Sequence, residues 1–249
     1  MHLHPPRAVA HRGDPYRHRE NTLPSIRSAL AAGADAVEVD VRLTRDGVPV
    51  LLHDPTLRRL WGLNRPLAEL TAADLRGLGG HGAPHQVPTL AEALEAVATA
   101  PRNPAGRAPL LMIDLDDAAP VAATCAEVRR LGAADRVAYC GPPSAMFAVR
   151  DHEPTAEVSV TWRTPRTPPQ ALLAELRPQL LNLPFGLVTP ALVEQARHTG
   201  LQVSAWTVDV RRTMARVLRT GVVSLTTNRI GVLRALLDRS PGPVPEQGA

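Results

Sequence analysis

Apolar and polar positions change rhythm along this chain in a way that separates strands from helices. From Val37 to Leu43 the sequence reads VEVDVRL, so Val37, Val39 and Val41 alternate with Glu38, Asp40 and Arg42. A period of two is the signature of a strand. Ahead of it, Val9-Ala10-His11 is a short apolar run ending in His-Arg-Gly. Leu23 to Ala32 reads as an amphipathic helix, opened by a cap at Asn21 or Thr22 and closed by Gly33-Ala34-Asp35. A strand, helix, strand unit favours a parallel sheet covered by helices. The valines then pack under the helices, and Glu38 and Asp40 face the other side of the sheet.

The Asp46-Gly47 pair between two apolar runs predicts a hairpin. Pro49 to His53 would return antiparallel to Asp40–Leu43, in a register that sets His53 opposite Asp40. Residues from Pro55 to about 88 read as a small insertion over the mouth of the sheet. It holds a helix-like piece at Thr71–Leu78 and a Gly-rich loop in which His81 and His85 are read as surface residues. Thr89 to Ala100 predicts a helix with a Thr89/Glu92 capping box.

Further strands are predicted at Leu110–Asp114, Val137–Cys140, Glu157–Thr161, Leu180–Leu183, Val203–Thr207 and Val222–Thr226. They alternate with helices at Val121–Leu131, Ser144–Asp151, Pro169–Glu175, Pro190–Thr199, Val210–Thr220 and Ile230–Arg239. Nine strands result, and setting aside the hairpin's return arm leaves eight, each followed by a helix. The expected fold is α/β, a (β/α)8 TIM barrel with a short hairpin and a small insertion after the second strand. One domain would span residues 1–239, followed by a Pro/Gly-rich disordered tail over 240–249.

The length of 249 residues suits one such barrel without remainder. With only 3% aromatic residues, the core has to be built from Ala, Val and Leu. All 28 basic residues are arginine, since the chain has no lysine. The net charge of +4 is spread without a dense basic block, which argues against nucleic-acid binding and is compatible with an anionic substrate. Cys125 and Cys140 both lie in or beside apolar segments and read as reduced, buried thiols. No apolar run approaches a membrane span, and the N-terminal stretch, where His2 and His4 read as exposed, has no secretory pattern. The expectation is a cytoplasmic protein without membrane insertion.

Candidate chemistry concentrates between His11 and Asp54. Two carboxylates facing the same side of one strand repel, and a hard divalent cation is the simplest offset. His11 closes the first strand and His53 the hairpin, so both imidazoles would reach the same mouth.

The segments HRG (11–13), ENT (20–22), GADAVEVDV (33–41), LTRDGVPVLLHD (43–54) and VPTLAEAL (87–94) resemble the glycerophosphodiester phosphodiesterase family. The resemblance implies a (β/α)8 barrel that hydrolyses small-molecule phosphodiesters with Mg²⁺ or Ca²⁺. It implies that His11 and His53 are acid and base, that Glu38, Asp40 and Asp114 hold the metal, and that Arg12 contacts phosphate. Glu20 and Asn21 would support the site, Glu20 as a metal ligand or as a partner of Arg12. Trp206 would line the pocket.

The chain also departs from the family pattern. The family has Glu-x-Lys on the third barrel strand, where this chain has Asp114-Leu115-Asp116. With the lysine gone, Arg163 and Arg42 are the candidates for its charge. Late in the chain, Trp206-Thr207-Val208-Asp209 and Thr227-Asn228 exchange an acid and an amide relative to the family. These departures motivate two alternatives: a lysophospholipase D or sphingomyelinase D-like head-group lyase, and a catalytically impaired barrel that binds phosphorylated ligands.

Overall fold

A computed structural model describes residues 5–78, 86–103 and 105–239. The expected tail, His2, His4, His81 and His85 lie outside the described residues. The chain begins with β1 (Arg7–His11), α1 (Leu23–Ala31) and β2 (Ala36–Leu43), followed by β3 (Pro49–Leu51), α2 (Arg58–Trp61), α3 (Ala72–Gly77) and α4 (Leu90–Ala98). It continues with β4 (Leu110–Asp114), α5 (Val121–Arg130), β5 (Val137–Gly141), α6 (Pro143–His152), β6 (Val158–Thr161) and α7 (Gln170–Leu176). It ends with β7 (Leu180–Pro184), α8 (Pro190–His198), β8 (Gln202–Trp206), α9 (Arg211–Leu218), β9 (Ser224–Thr227) and α10 (Ile230–Leu237).

Eight of the strands pair in parallel, and β1 bonds to both β2 and β9, so the sheet closes into a barrel. The ninth strand, β3, is antiparallel to β2 and stands outside the closed ring. Val37, Val39 and Val41 pack into the layer between sheet and helices, together with Ile26 and Ala29 of α1. Inside the barrel, Val9, Ala36, Met112 and Cys140 form a separate small cluster. Cys125 and Cys140 are both free and buried.

The hairpin's register departs from the expected one. Leu43 faces Pro49 and Val41 faces Leu51, while the Leu52 amide bonds the Asp40 carbonyl at 3.0 Å. Leu52, not His53, therefore lies opposite Asp40. The loop is one residue longer than a two-residue Asp-Gly turn: the Thr44 amide bonds the Val48 carbonyl at 3.1 Å, and Gly47 takes a left-handed φ of +78°. That is the three-residue hairpin with glycine at the left-handed position.

The segment after β3 is more than a covering loop. Val50, Leu52, Leu57, Leu67, Leu70, Leu75 and Val87 form a small core of their own, beside the barrel wall.

Opposite the mouth, Asp35 ends the turn into β2 and is 3% exposed. One of its carboxylate oxygens accepts from Arg107 Nε at 2.7 Å and from the side-chain amide of Asn103. The other accepts from the Ala8 amide at 2.7 Å and from Arg234 Nη1 at 3.3 Å. Asp35 thus ties β1, the approach to β4, and α10 to the foot of β2.

Candidate active site

The C-terminal ends of the strands form the mouth, as expected for catalytic groups on this fold. A tight reversal follows β1: Arg12 has φ +57° and Gly13 φ +90°. A side chain at Gly13 would meet Ser25 Oγ at 2.3 Å, and the Asp14 amide donates to that same oxygen at 2.7 Å. Only glycine lets the loop sit this close to the start of α1. Thr22 caps α1, while the preceding Asn21, φ +52° and fully buried, donates its side-chain amide to Asp40 Oδ2 at 2.7 Å.

The reversal swings Arg12 across the mouth. Its Nε lies 3.0 Å from Asp40 Oδ2, and its Nη1 donates to Glu20 Oε1 at 2.9 Å. Its backbone amide donates to Glu38 Oε2 at 3.0 Å. Glu20 is therefore a partner of Arg12 in this structure.

Strands β2 and β4 run side by side with Asp40 beside Asp114. One oxygen from each of Glu38, Asp40 and Asp114 lies within 4.8 Å of the others. Burial, then the charges of Asp40 and Asp114, push the Glu38 carboxyl well above the usual range. Burial, then Asp40 and Asp116, raise Asp114 to about 7. Three oxygen donors, two buried and one half-buried, whose mutual repulsion Arg12 offsets in part, fit a hard divalent cation.

Both imidazoles line the same cavity of about 470 Å³ as the acidic trio. His11 Nδ1 lies 2.8 Å from Asn228 Oδ1. The Asn228 side-chain amide donates to Asp209 Oδ2 at 2.7 Å, and its backbone amide donates to Oδ1 at 2.8 Å. With its NH₂ group committed to Asp209, Asn228 presents oxygen to His11, so Nδ1 of His11 carries the proton and Nε2 is left for the cavity. Burial, then the charge of Arg12, lowers the pKa of His11, which favours the neutral ring.

His53 stands nearer the rim, and its Nδ1 donates to Asp54 Oδ1 at 2.8 Å. A carboxylate only accepts, so here too Nε2 is the free nitrogen.

Asp116 is exposed and paired with Arg42, whose Nη2 donates to Oδ2 at 2.8 Å. Arg42 also donates from Nε to the His53 carbonyl at 2.7 Å. Arg163 lies over the ring of Trp206, 4.8 Å from its centroid, and both border the cavity. Of the two arginines proposed to replace the missing lysine, Arg42 is thus spent on Asp116. Arg163 is held over the pocket by an aromatic face.

The sequence did not single out Asp54 as the partner of His53, nor Arg59, which bonds Asp54. Asp54 had a visible signal in its adjacency to the histidine. Arg59 had none, because its role depends on how α2 folds back over the mouth.

A closed parallel barrel whose mouth joins two imidazoles, an acidic trio and arginines defines a phosphodiesterase of the barrel type. The glycerophosphoryl diester phosphodiesterase family model matches residues 11–232, and the chain belongs to that family. It is on that ground a phosphoric diester hydrolase. A glycerophosphodiester phosphodiesterase of Caldanaerobacter subterraneus is 24% identical over 232 residues, covering 88% of this chain and 93% of its own. A solved structure from Silicibacter pomeroyi, assigned to the glycerophosphoryl diester phosphodiesterases, is 29% identical with a TM-score of 0.81, over 95% and 94% of the two chains. An Oleispira antarctica phosphodiesterase solved with the product sn-glycerol-3-phosphate shares the fold at 20% identity and a TM-score of 0.81, over 94% and 97%. These comparisons favour neither the head-group lyase nor the binding-only barrel.

Proposed function

We propose that this chain hydrolyses glycerophosphodiesters to an alcohol and glycerol 3-phosphate, with a divalent cation at Glu38, Asp40 and Asp114 and with His11 and His53 as acid–base pair. One observation carries the reading. Both imidazoles are anchored through Nδ1, which leaves Nε2 for chemistry, and both line one cavity together with the acidic trio. Phosphoryl transfer needs charge neutralised on the non-bridging oxygens and a base and an acid on opposite sides of phosphorus.

A bound Mg²⁺ or Ca²⁺, favoured by oxygen-only donors, would supply positive charge to the phosphate oxygens. Arg12, braced by Glu20 and Asp40, contacts another phosphate oxygen, and Arg163 over Trp206 adds a second guanidinium. His11, held neutral, takes the proton of the glycerol hydroxyl next to the ester. His53, at the rim and entering the cycle as the imidazolium, donates its Nε2 proton to the departing alcohol. A cyclic phosphate results, and water opens it with the two roles reversed. Glycerol 3-phosphate in the Oleispira antarctica neighbour supports a substrate of this class.

The test is phosphorus NMR of glycerophosphocholine turnover with Mg²⁺ or Ca²⁺ and with chelator. His11→Ala and His53→Ala should each lose about 10²- to 10⁴-fold in kcat. Wild-type turnover in either variant, or undiminished turnover in chelator, overturns the assignment.

A further inference from the structure

Arg59 lies in α2, six residues after His53, and does not line the catalytic cavity. Its guanidinium nevertheless grips two carboxylates. Nε donates to Asp54 Oδ2 at 2.6 Å and Nη2 to Asp54 Oδ1 at 3.2 Å. Nη1 donates to Glu20 Oε2 at 3.0 Å and Nη2 to Glu20 Oε1 at 2.6 Å. Each carboxylate in turn holds one working group: Asp54 accepts from His53 Nδ1 at 2.8 Å, and Glu20 accepts from Arg12 Nη1 at 2.9 Å. The chain of contacts runs His53, Asp54, Arg59, Glu20, Arg12, Asp40.

We propose that Arg59 is the positioning residue of this site, setting the angle of His53 through Asp54 and that of Arg12 through Glu20 with one guanidinium. The proposal rests on the acid–base reading above. Planar fork geometry is what the task demands, because two carboxylates have to be held apart at fixed angles by one group. Lysine, a point charge on a flexible stem, cannot replace it. The electrostatics agree. Hydrogen bonds from Arg59 lead the causes that hold Asp54 at about 2, so Asp54 stays a carboxylate facing His53. Although burial works against it, bonds from Arg59 and Arg12 keep Glu20 below the usual range. Arg59 also links α2, in the segment after β3, to the loop between β1 and α1, where Arg19 in turn lies 5.3 Å over the ring of Trp61 of the same helix.

The two arms act on different kinetic constants. Misaligning His53 lowers kcat, and loosening Arg12 raises KM. Arg59→Ala should lower kcat by about tenfold to a hundredfold and raise KM several-fold. Arg59→Lys should recover little of either. Added guanidinium ion should restore part of the kcat of Arg59→Ala and do nothing for wild type.

Double-mutant cycles separate positioning from mere support. In the Arg59→Ala background, Asp54→Asn should add little further loss in kcat, and Glu20→Gln little further rise in KM. Additive losses in both cycles, or wild-type constants in Arg59→Ala, overturn the proposal. So does full activity in Arg59→Lys. Should Arg59→Ala fold poorly, Arg59→Gln carries the same cycles. His53→Ala, measured alongside, distinguishes the failures. If it stays active, the acid–base reading falls; if it is inactive while Arg59→Ala behaves as wild type, only this inference falls.

Discussion

Arg42 and Asp116 form an ion pair at 2.8 Å at the edge of the mouth, at the position where the family pattern has a lysine. The carboxylate there does not face the substrate uncompensated, because a neighbouring strand supplies its cation. Restoring the lysine would set two cations side by side. Asp116→Lys is therefore expected to leave kcat/KM for glycerophosphocholine unchanged or to lower it by up to about tenfold. A tenfold gain in steady-state assays would show instead that the position is a lesion which lysine repairs.

Asn228 connects His11 to Asp209, and the exchange of amide and acid in the sequence becomes a matched donor–acceptor pair in space. Asn228→Asp would place two carboxylates in contact and remove the donor. We expect a loss in kcat of about tenfold to a hundredfold with little change in KM. Adding Asp209→Asn restores one donor and one acceptor, and most of the loss should be recovered. A double variant as poor as the single one would contradict the coupling.

Proton binding by Glu38 and Asp114 makes stability depend on pH when no cation is present. Asp114, at about 7 in the folded chain against an ordinary 3.8, is a raised acid. Its contribution is full below 3.8 and is lost as pH rises through about 7, because the folded state binds the extra proton. Glu38 shifts in the same direction. His11 shifts downward, so its contribution is lost only on acidification below its ordinary 6.5. From pH 6.5 to 8 in chelator, Tm should therefore fall. Saturating Mg²⁺ or Ca²⁺ should flatten that slope and raise Tm more at pH 8 than at pH 6.5. Calorimetry showing a Tm that climbs with pH in chelator would refute the assignment of these shifts.

Trp206 supports Arg163 from below, at a distance where the ring's electron-rich face attracts the guanidinium. Trp206→Leu should raise KM for a glycerophosphodiester by about three- to tenfold and alter kcat far less. Arg163→Ala in the Trp206→Leu background should then add little. Full additivity of the two would place them in separate roles.

Much of this architecture was legible in the sequence because its determinants are local. The alternation of Val37, Val39 and Val41 with Glu38 and Asp40 fixes which face of β2 meets the helices, and so aims both acids inward. Thr89 and Glu92 form the reciprocal cap that their spacing predicts. The hairpin register was not legible, since a two-residue and a three-residue loop fit the same Asp46-Gly47 signal and differ only in where Gly47 turns. The partner of His11 and the reach of Arg59 were hidden for another reason. Asn228 is 217 positions from His11, and Arg59 reaches Glu20 across 39, distances that only barrel closure and the fold of α2 remove. Asp116 is a surface acid or a pocket acid until Arg42 is seen beside it.

The Asp35 junction has a consequence for how this chain can change over time. A single ribbon, β2, is fastened at its foot by Arg107, Arg234 and Asn103, and carries Glu38 and Asp40 toward its head. Loosening the foot would cost cohesion while leaving reactivity among the surviving folded molecules nearly intact; altering the head would change reactivity and relieve buried repulsion without undoing the fastening. New specificities can therefore arise at the mouth without breaking the frame beneath it.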